Sequence, residues 1–135
     1  MDAASSLQAR LRLEVGLLRG RESRRVFDPS VHVGALAGDR ESFVLPAQDA
    51  PVTDAALRAD VLTELMAGCP GGGAEVWLCR PGVPSLHDDD LGWFAAAALA
   101  CGVHGRALLG FYTITRAGWL DVRSGDRRMW KRLRL

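Results

Sequence analysis

An α/β domain built on one mixed β-sheet is what this sequence predicts, and three observations predict it. Short β-prone runs alternate along the chain with two segments of helical period. The length of 135 residues suits one domain. Hydrophobic residues make up 48% and charged residues 24%, a globular mixture that can bury a core without metals or disulfides. An α+β arrangement of the same elements stays open.

The elements follow in order. Residues 11–17 alternate apolar and polar, which suits a half-buried strand after a helical turn. Leu7, Leu11, Val15 and Leu18 also fit a helical stripe, but Gly16 weakens a helix more than a strand, so the strand is favoured. Val31 to Ala37 and Ser42 to Leu45 read as a hairpin around Gly38-Asp39, and Pro46 and Pro51 bound the next loop. Thr53 is a good N-cap with Asp54 in the first turn. Leu57, Val61, Leu62, Leu65 and Met66 then recur at helical spacing until Gly68 and Pro70.

Ala74 to Cys79 reads as a strand and Arg80 to Pro84 as a rigid turn. A second helix begins after a cap at Ser85 or His87, with Asp88, Asp89 and Asp90 at its positive end. Leu91, Phe94, Ala95, Ala98 and Leu99 form its expected apolar face. Ala107 to Thr115, a turn at Arg116 to Gly118, and Trp119 to Val122 make a closing hairpin. Two main helices therefore pack on one sheet, in a single domain over residues 1–125. A basic tail, 126–135, follows as a last strand, a short helix or a disordered end.

Charge is segregated behind a net value of +1. Residues 1–25 hold six arginines against three acids, and residues 116–135 hold seven basic residues against two acids. Residues 26–115 hold four arginines against eleven acids. The basic ends either fold against the acidic middle or offer a basic face to an anionic partner. No apolar run is long enough to cross a membrane, the first residues lack a secretory pattern, and three cysteines do not make a disulfide framework. The expectation is a cytoplasmic protein with Cys69, Cys79 and Cys101 as free thiols and no membrane contact.

Pro84-Ser85-Leu86-His87-Asp88 resembles the P-S-x-x-D element of JAB/MPN metalloprotease domains and the related RadC-type proteins. Residues 107–122 are similar to the closing hairpin of those families. Glu14 to Gly20 looks like their E-x-x-G-x-L-x-G stretch with one residue missing. The resemblance covers residues 80–122, about a third of the chain. It departs where the two zinc histidines belong, because Leu78 and Arg80 stand just before Pro81. One carboxylate, Asp88, does not hold a zinc ion that needs about three protein ligands. The resemblance thus implies a degenerate, metal-free JAB/MPN-like fold.

Each chemical candidate has a plainer reading beside it. His87 to Asp90 is the densest polar cluster and suits a divalent cation, but acids at a helix N-terminus also simply favour the macrodipole. Cys101-x-x-His104 has ligand-like spacing without a second paired motif. Cys79 with His87 is the best thiol–base pair, yet a core cysteine and a capping histidine account for both. Gly71 to Gly73 lacks the lysine and helix start of a phosphate loop. Trp77, Trp93 and Trp119 sit within patterned elements and are expected in the core. In the tail, Arg127, Arg128, Trp130, Lys131, Arg132 and Arg134 combine phosphate-binding charge with a stacking ring. Docking of Met129, Leu133 and Trp130, with the arginines solvated, is the alternative.

Three functions are ranked. The first is a non-catalytic protein-binding or scaffold domain holding a protein partner or a second copy around Arg80, Ser85, His87 and Asp88. The second is a nucleic-acid-binding accessory protein acting through both basic ends. The third is a small metal- or thiol-dependent hydrolase near Cys79, His87, Asp88 and His104. No catalytic residue, metal site or cofactor is assigned.

Overall fold

A computed structural model describes residues 3–45 and 54–132. The order is α1 (Ala3–Arg21), β1 (Ser30–Gly34), β2 (Arg40–Val44), α2 (Ala55–Ala67), β3 (Gly73–Cys79), α3 (Asp88–Val103), β4 (Ala107–Ile114), β5 (Gly118–Asp121) and β6 (Arg127–Met129). The strands form one six-stranded mixed sheet in the order β2-β1-β3-β4-β5-β6. Only β3 and β4 run parallel. Parallel neighbours need a long crossover, and α3 supplies it.

Alternation along β3 divides the core into two layers. Ala74, Val76 and Leu78 face α2 and α3, where Leu62, Met66, Trp93, Ala97 and Phe111 join them. Trp77 and Cys79 face the other way, onto Leu11, Val15 and Leu18 of α1 and Tyr112, Ile114 and Trp119 of the sheet. The result is a three-layer α/β/α sandwich, in which the α/β class and the single mixed sheet are as composition and pattern predict and the α1 layer is an addition.

Residues 11–17 correct the expectation of a strand. They belong to helix α1. The helical stripe is the buried set: Leu11 and Val15 are 0% exposed, while Leu13 and Leu17, which alternation would also bury, are 45% and 50% exposed. Tertiary contacts outweigh the cost of Gly16. The buried Glu14 carboxylate takes a bidentate pair from Arg40, at 2.6 and 2.5 Å, and accepts the Ala37 N–H. Arg10 reaches Glu75 at 2.6 Å. These bonds tie α1 to the β1–β2 hairpin and to the sheet, so a third helix joins the two expected.

The cap of α2 differs, and the tail takes one of its three expected forms, a last strand. Thr53 lies outside the described residues, and the N-cap of α2 is Asp54, whose Oδ1 accepts from Ala56 N and Leu57 N. The tail, as far as residue 132, is neither helix nor disordered end. β6 lies on β5 with Gly118 opposite Met129. A side chain at Gly118 would overlap the Arg128 carbonyl, its Cβ lying 1.9 Å from that oxygen, so glycine admits the last strand.

Below the α1 layer, His32 is 3% exposed and stacks on Trp77 with centroids 5.5 Å apart. Ser30 and Ser42 hydroxyls flank its ring nitrogens at 2.8 and 2.6 Å. Burial, and then the charges of Arg21 and Arg40, push its pKa down to about 3. The unfolded chain therefore binds the His32 proton more tightly, and stability falls as pH drops from about 6.5 toward 3. This group removes about 2 kcal/mol between pH 7 and pH 5. Urea midpoints at the two pH values check it: His32→Phe starts less stable at pH 7 and loses much less on acidification.

Candidate functional site

Of the four residues singled out around the serine-aspartate element, Arg80, Ser85 and His87 lie on the β3–α3 loop and Asp88 opens α3, and the Ser85 hydroxyl meets His87 Nε2 at 3.5 Å. Arg80 is 5% exposed and spends its guanidinium inward. Nε and Nη2 bind the two Asp90 oxygens at 2.9 and 2.8 Å. Nη1 donates to the carbonyls of Pro81 and Val83, and Nη2 to that of Ser85. Ser85 is half-buried, and His87 and Asp88 are exposed. Arg80 is thus an internal strut.

The decisive acid is Asp90, not Asp88. Asp90 is 0% exposed and accepts from Arg80, from Thr113 Oγ1 at 2.8 Å and from His87 N at 2.9 Å. Burial pushes its carboxyl up, but the Arg80, His87 and Thr113 hydrogen bonds outweigh this and hold it below the ordinary aspartate value. Placing Asp90 inward also fixes the rotation of α3. Trp93, Ala96, Ala97, Ala100 and Cys101 become its buried face. Of the face expected from sequence, Phe94 packs partly on the core, whereas Leu91 and Leu99 are 45% and 57% exposed and Ala95 and Ala98 are exposed too.

The thiol and metal candidates scatter. Cys79 is buried beneath α1, and burial pushes its thiol up to about 11. Its titration is felt by Arg21, Glu14 and Ser30, from α1 and β1. A thiol so protonated is a poor nucleophile at neutral pH. Cys101 is also shifted upward by burial. His104 Nε2 meets Thr63 Oγ1 at 3.2 Å, and the Cys69 thiol donates to the Val33 carbonyl. Among the described residues, no three His, Cys, Asp or Glu side chains gather where a metal ion would sit.

What does gather is basic. A cleft of about 680 Å³ opens at the carboxyl ends of β3 and β4. In α/β sheets, ligands bind outside the carboxyl ends of parallel strands. Arg19, Arg25, Val26 and Phe27 line it from the end of α1 and the loop beyond. Pro81, Gly82 and Val83 line it after β3, Arg116 and Ala117 at the β4–β5 turn, and Trp130 and Lys131 after β6. Among the described residues, four cations and no acid line the cleft.

The cleft is built, not incidental. Arg19 Nε donates to the Arg116 carbonyl at 2.6 Å and Nη2 to the Trp130 carbonyl at 3.1 Å, while Trp130 N donates to the Ala117 carbonyl. Arg80 holds the Pro81–Ser85 wall from behind. Arg25 is exposed and Arg116 half-buried. The Arg116 Nε atom is buried and meets no acceptor among the described residues.

Of the tail residues proposed for nucleic acid, Trp130 and Lys131 line this cleft. Arg128 lies over the Trp130 ring at 5.1 Å and lines a smaller recess on its other side with Arg12. Arg127 and Arg132 are exposed outside the first cleft, and Arg134 lies outside the described residues. Arg19, Arg25 and Arg116 were not singled out from sequence. The signal that pointed to them is the basic charge of both ends of the chain.

The ion pair makes one test plain. Asp90→Ala strands a buried guanidinium and costs about 3–5 kcal/mol. Asp88→Ala changes stability by about 0.5 kcal/mol or less. Urea unfolding of the two variants at pH 7 separates them.

Comparison with protein-family models, with curated proteins and with solved structures finds no match to this chain.

Proposed function

We propose that this protein is a non-catalytic binding domain whose partner is nucleic acid, held at the cleft on the carboxyl edge of β3 and β4. One observation carries the reading. The two basic ends of the chain, far apart in sequence, bring Arg19 and Arg25 together with Arg116 and Lys131 in a single cleft that no acid lines among the described residues. Concentrated positive charge with an aromatic wall suits phosphates and bases. It gives no nucleophile, since Cys79 is buried and protonated.

A metal-free JAB/MPN-like fold is the architecture we pair with this function. What supports it is the Arg80–Asp90 pair. A fixed cation stands next to Pro81, where the resemblance expects a zinc histidine, and it is bound to a carboxylate in the first turn of α3. The resemblance assigns that carboxylate to Asp88, whereas Asp90 makes the contact.

A protein partner is the second reading, favoured by the outer face of α3. Leu91, Ala95, Ala98, Leu99, Gly102 and Val103 lie along one helical stripe and are all exposed. Sedimentation at micromolar concentration tests self-association there: a dimer that Leu99→Asp dissolves supports it.

Salt dependence tests the first reading. Affinity for an oligonucleotide falls linearly on a log–log plot against salt concentration. The Arg25→Ala/Lys131→Ala double variant, which alters two exposed side chains, makes that slope shallower by about 1.4 on single strands, two phosphate contacts being lost. Salt-insensitive binding, or an unchanged slope, overturns the assignment to the cleft.

A further inference from the structure

Resting on the nucleic-acid reading, we infer that the cleft selects single-stranded nucleic acid, lodging one unpaired base against Trp130 while Arg25, Arg116 and Lys131 take the phosphates beside it. The inference begins with Trp130. The other three tryptophans, Trp77, Trp93 and Trp119, are 0%, 3% and 5% exposed. Trp130 alone is half-exposed, and it stands between two recesses, lining both. The Arg128 guanidinium lies over its ring, and its own backbone is held at both ends, by Ala117 and by Arg19. A ring held this firmly loses little entropy when a ligand stacks on it.

Shape separates single strand from duplex. The cationic surface is concave, formed by four loops at the end of the sheet. Folded domains read paired DNA by placing a helix or a two-stranded ribbon in the groove, and among the described residues the cations of this surface sit instead around a concavity. In a duplex the base faces are covered by their neighbours, so a ring recessed in a cleft meets none of them. An unpaired base has both faces free. A volume of about 680 Å³ admits a short piece of strand.

Charge and polarity fit the same ligand. Val26, Phe27, Pro81 and Val83 give apolar walls. Arg25 and Lys131 carry charges with no carboxylate partner among the described residues. Arg116, half-buried in the lining, likewise has no carboxylate partner among the described residues. An acidic protein segment would satisfy the cations but leave the aromatic wall unused.

The test compares a labelled ten-nucleotide mixed-sequence DNA strand with a hairpin duplex of the same sequence, by anisotropy at low fixed salt, with intrinsic tryptophan emission recorded in parallel. The strand binds at least about tenfold more tightly and quenches the exposed-tryptophan emission. Trp130→Phe keeps most of the affinity. Trp130→Leu loses it about tenfold, while the slope against salt stays unchanged because the phosphate contacts remain. Equal or tighter binding of the hairpin without quenching overturns the single-strand inference and leaves the nucleic-acid reading standing. Binding of neither overturns both. The quenching comparison uses the unaltered protein, so a misfolded variant does not rescue the inference.

Discussion

The buried Arg80–Asp90 pair is the constraint on which the rest of the arrangement depends. Both side chains lie out of water at the junction of β3, α3 and β4. Desolvating two charges costs several kcal/mol, and that is offset only when nearly every donor and acceptor is matched. Here the match is dense: the carboxylate takes four hydrogen bonds, and the guanidinium reaches three loop carbonyls as well. A helix can rotate by small amounts to suit apolar packing, but not away from such a bond set. The pair therefore decides which side of α3 is core. The consequence is a helix that hides Ala96, Ala97 and Ala100 while leaving Leu91 and Leu99 in solvent.

The same pair shapes the cleft. By gripping the carbonyls of Pro81, Val83 and Ser85, Arg80 stiffens one wall, and Arg19 does the same to the opposite side through the Arg116 and Trp130 carbonyls. The arginines thus divide into two kinds. Arg10, Arg40 and Arg80 meet carboxylates within the fold, and Arg106 ties the end of α2 to the start of β3 through the Met66, Cys69 and Gly73 carbonyls. Arg25 and Lys131 at the cleft have no carboxylate partner among the described residues. In the acidic middle of the chain, Glu75 pairs with Arg10 of α1 and Asp90 with Arg80, and neither pair involves a cation of the cleft.

The fold class was legible because its signals are local. The β1–β2 hairpin, helix α2, strand β3 and the β4–β5 hairpin each announce themselves by period and by bounding glycine or proline. Where the reading failed, the deciding contact was distant in sequence. Alternation at 11–17 suggested a strand, and it lost to a helical stripe stapled by Glu14 to Arg40, 26 residues away. The face of α3 was misjudged because leucines and alanines alone cannot reveal that an aspartate is the inward residue. The cleft was legible only as a charge imbalance. Nothing local shows that residues 19 and 130 will share a hydrogen bond across 111 positions.

The basic residues of β6 have a structural explanation that competes with a binding role, and the two divide cleanly. β6 is the outermost strand on its side of the sheet. Positive charges on an exposed edge discourage pairing with another chain, and that accounts for Arg127 and Arg128 on the strand itself. It does not account for Arg25 in the loop after α1, Arg116 in the β4–β5 turn, or Lys131 beyond the last strand pair, because none of these lies on an edge strand. Nor does it account for their arrival at one place. Like charges brought together around a concavity repel one another, and a fold that merely needed a soluble edge would spread them. Their convergence beside a half-exposed tryptophan, at the ends of the one parallel strand pair, is the arrangement an anionic ligand with a flat ring would stabilise.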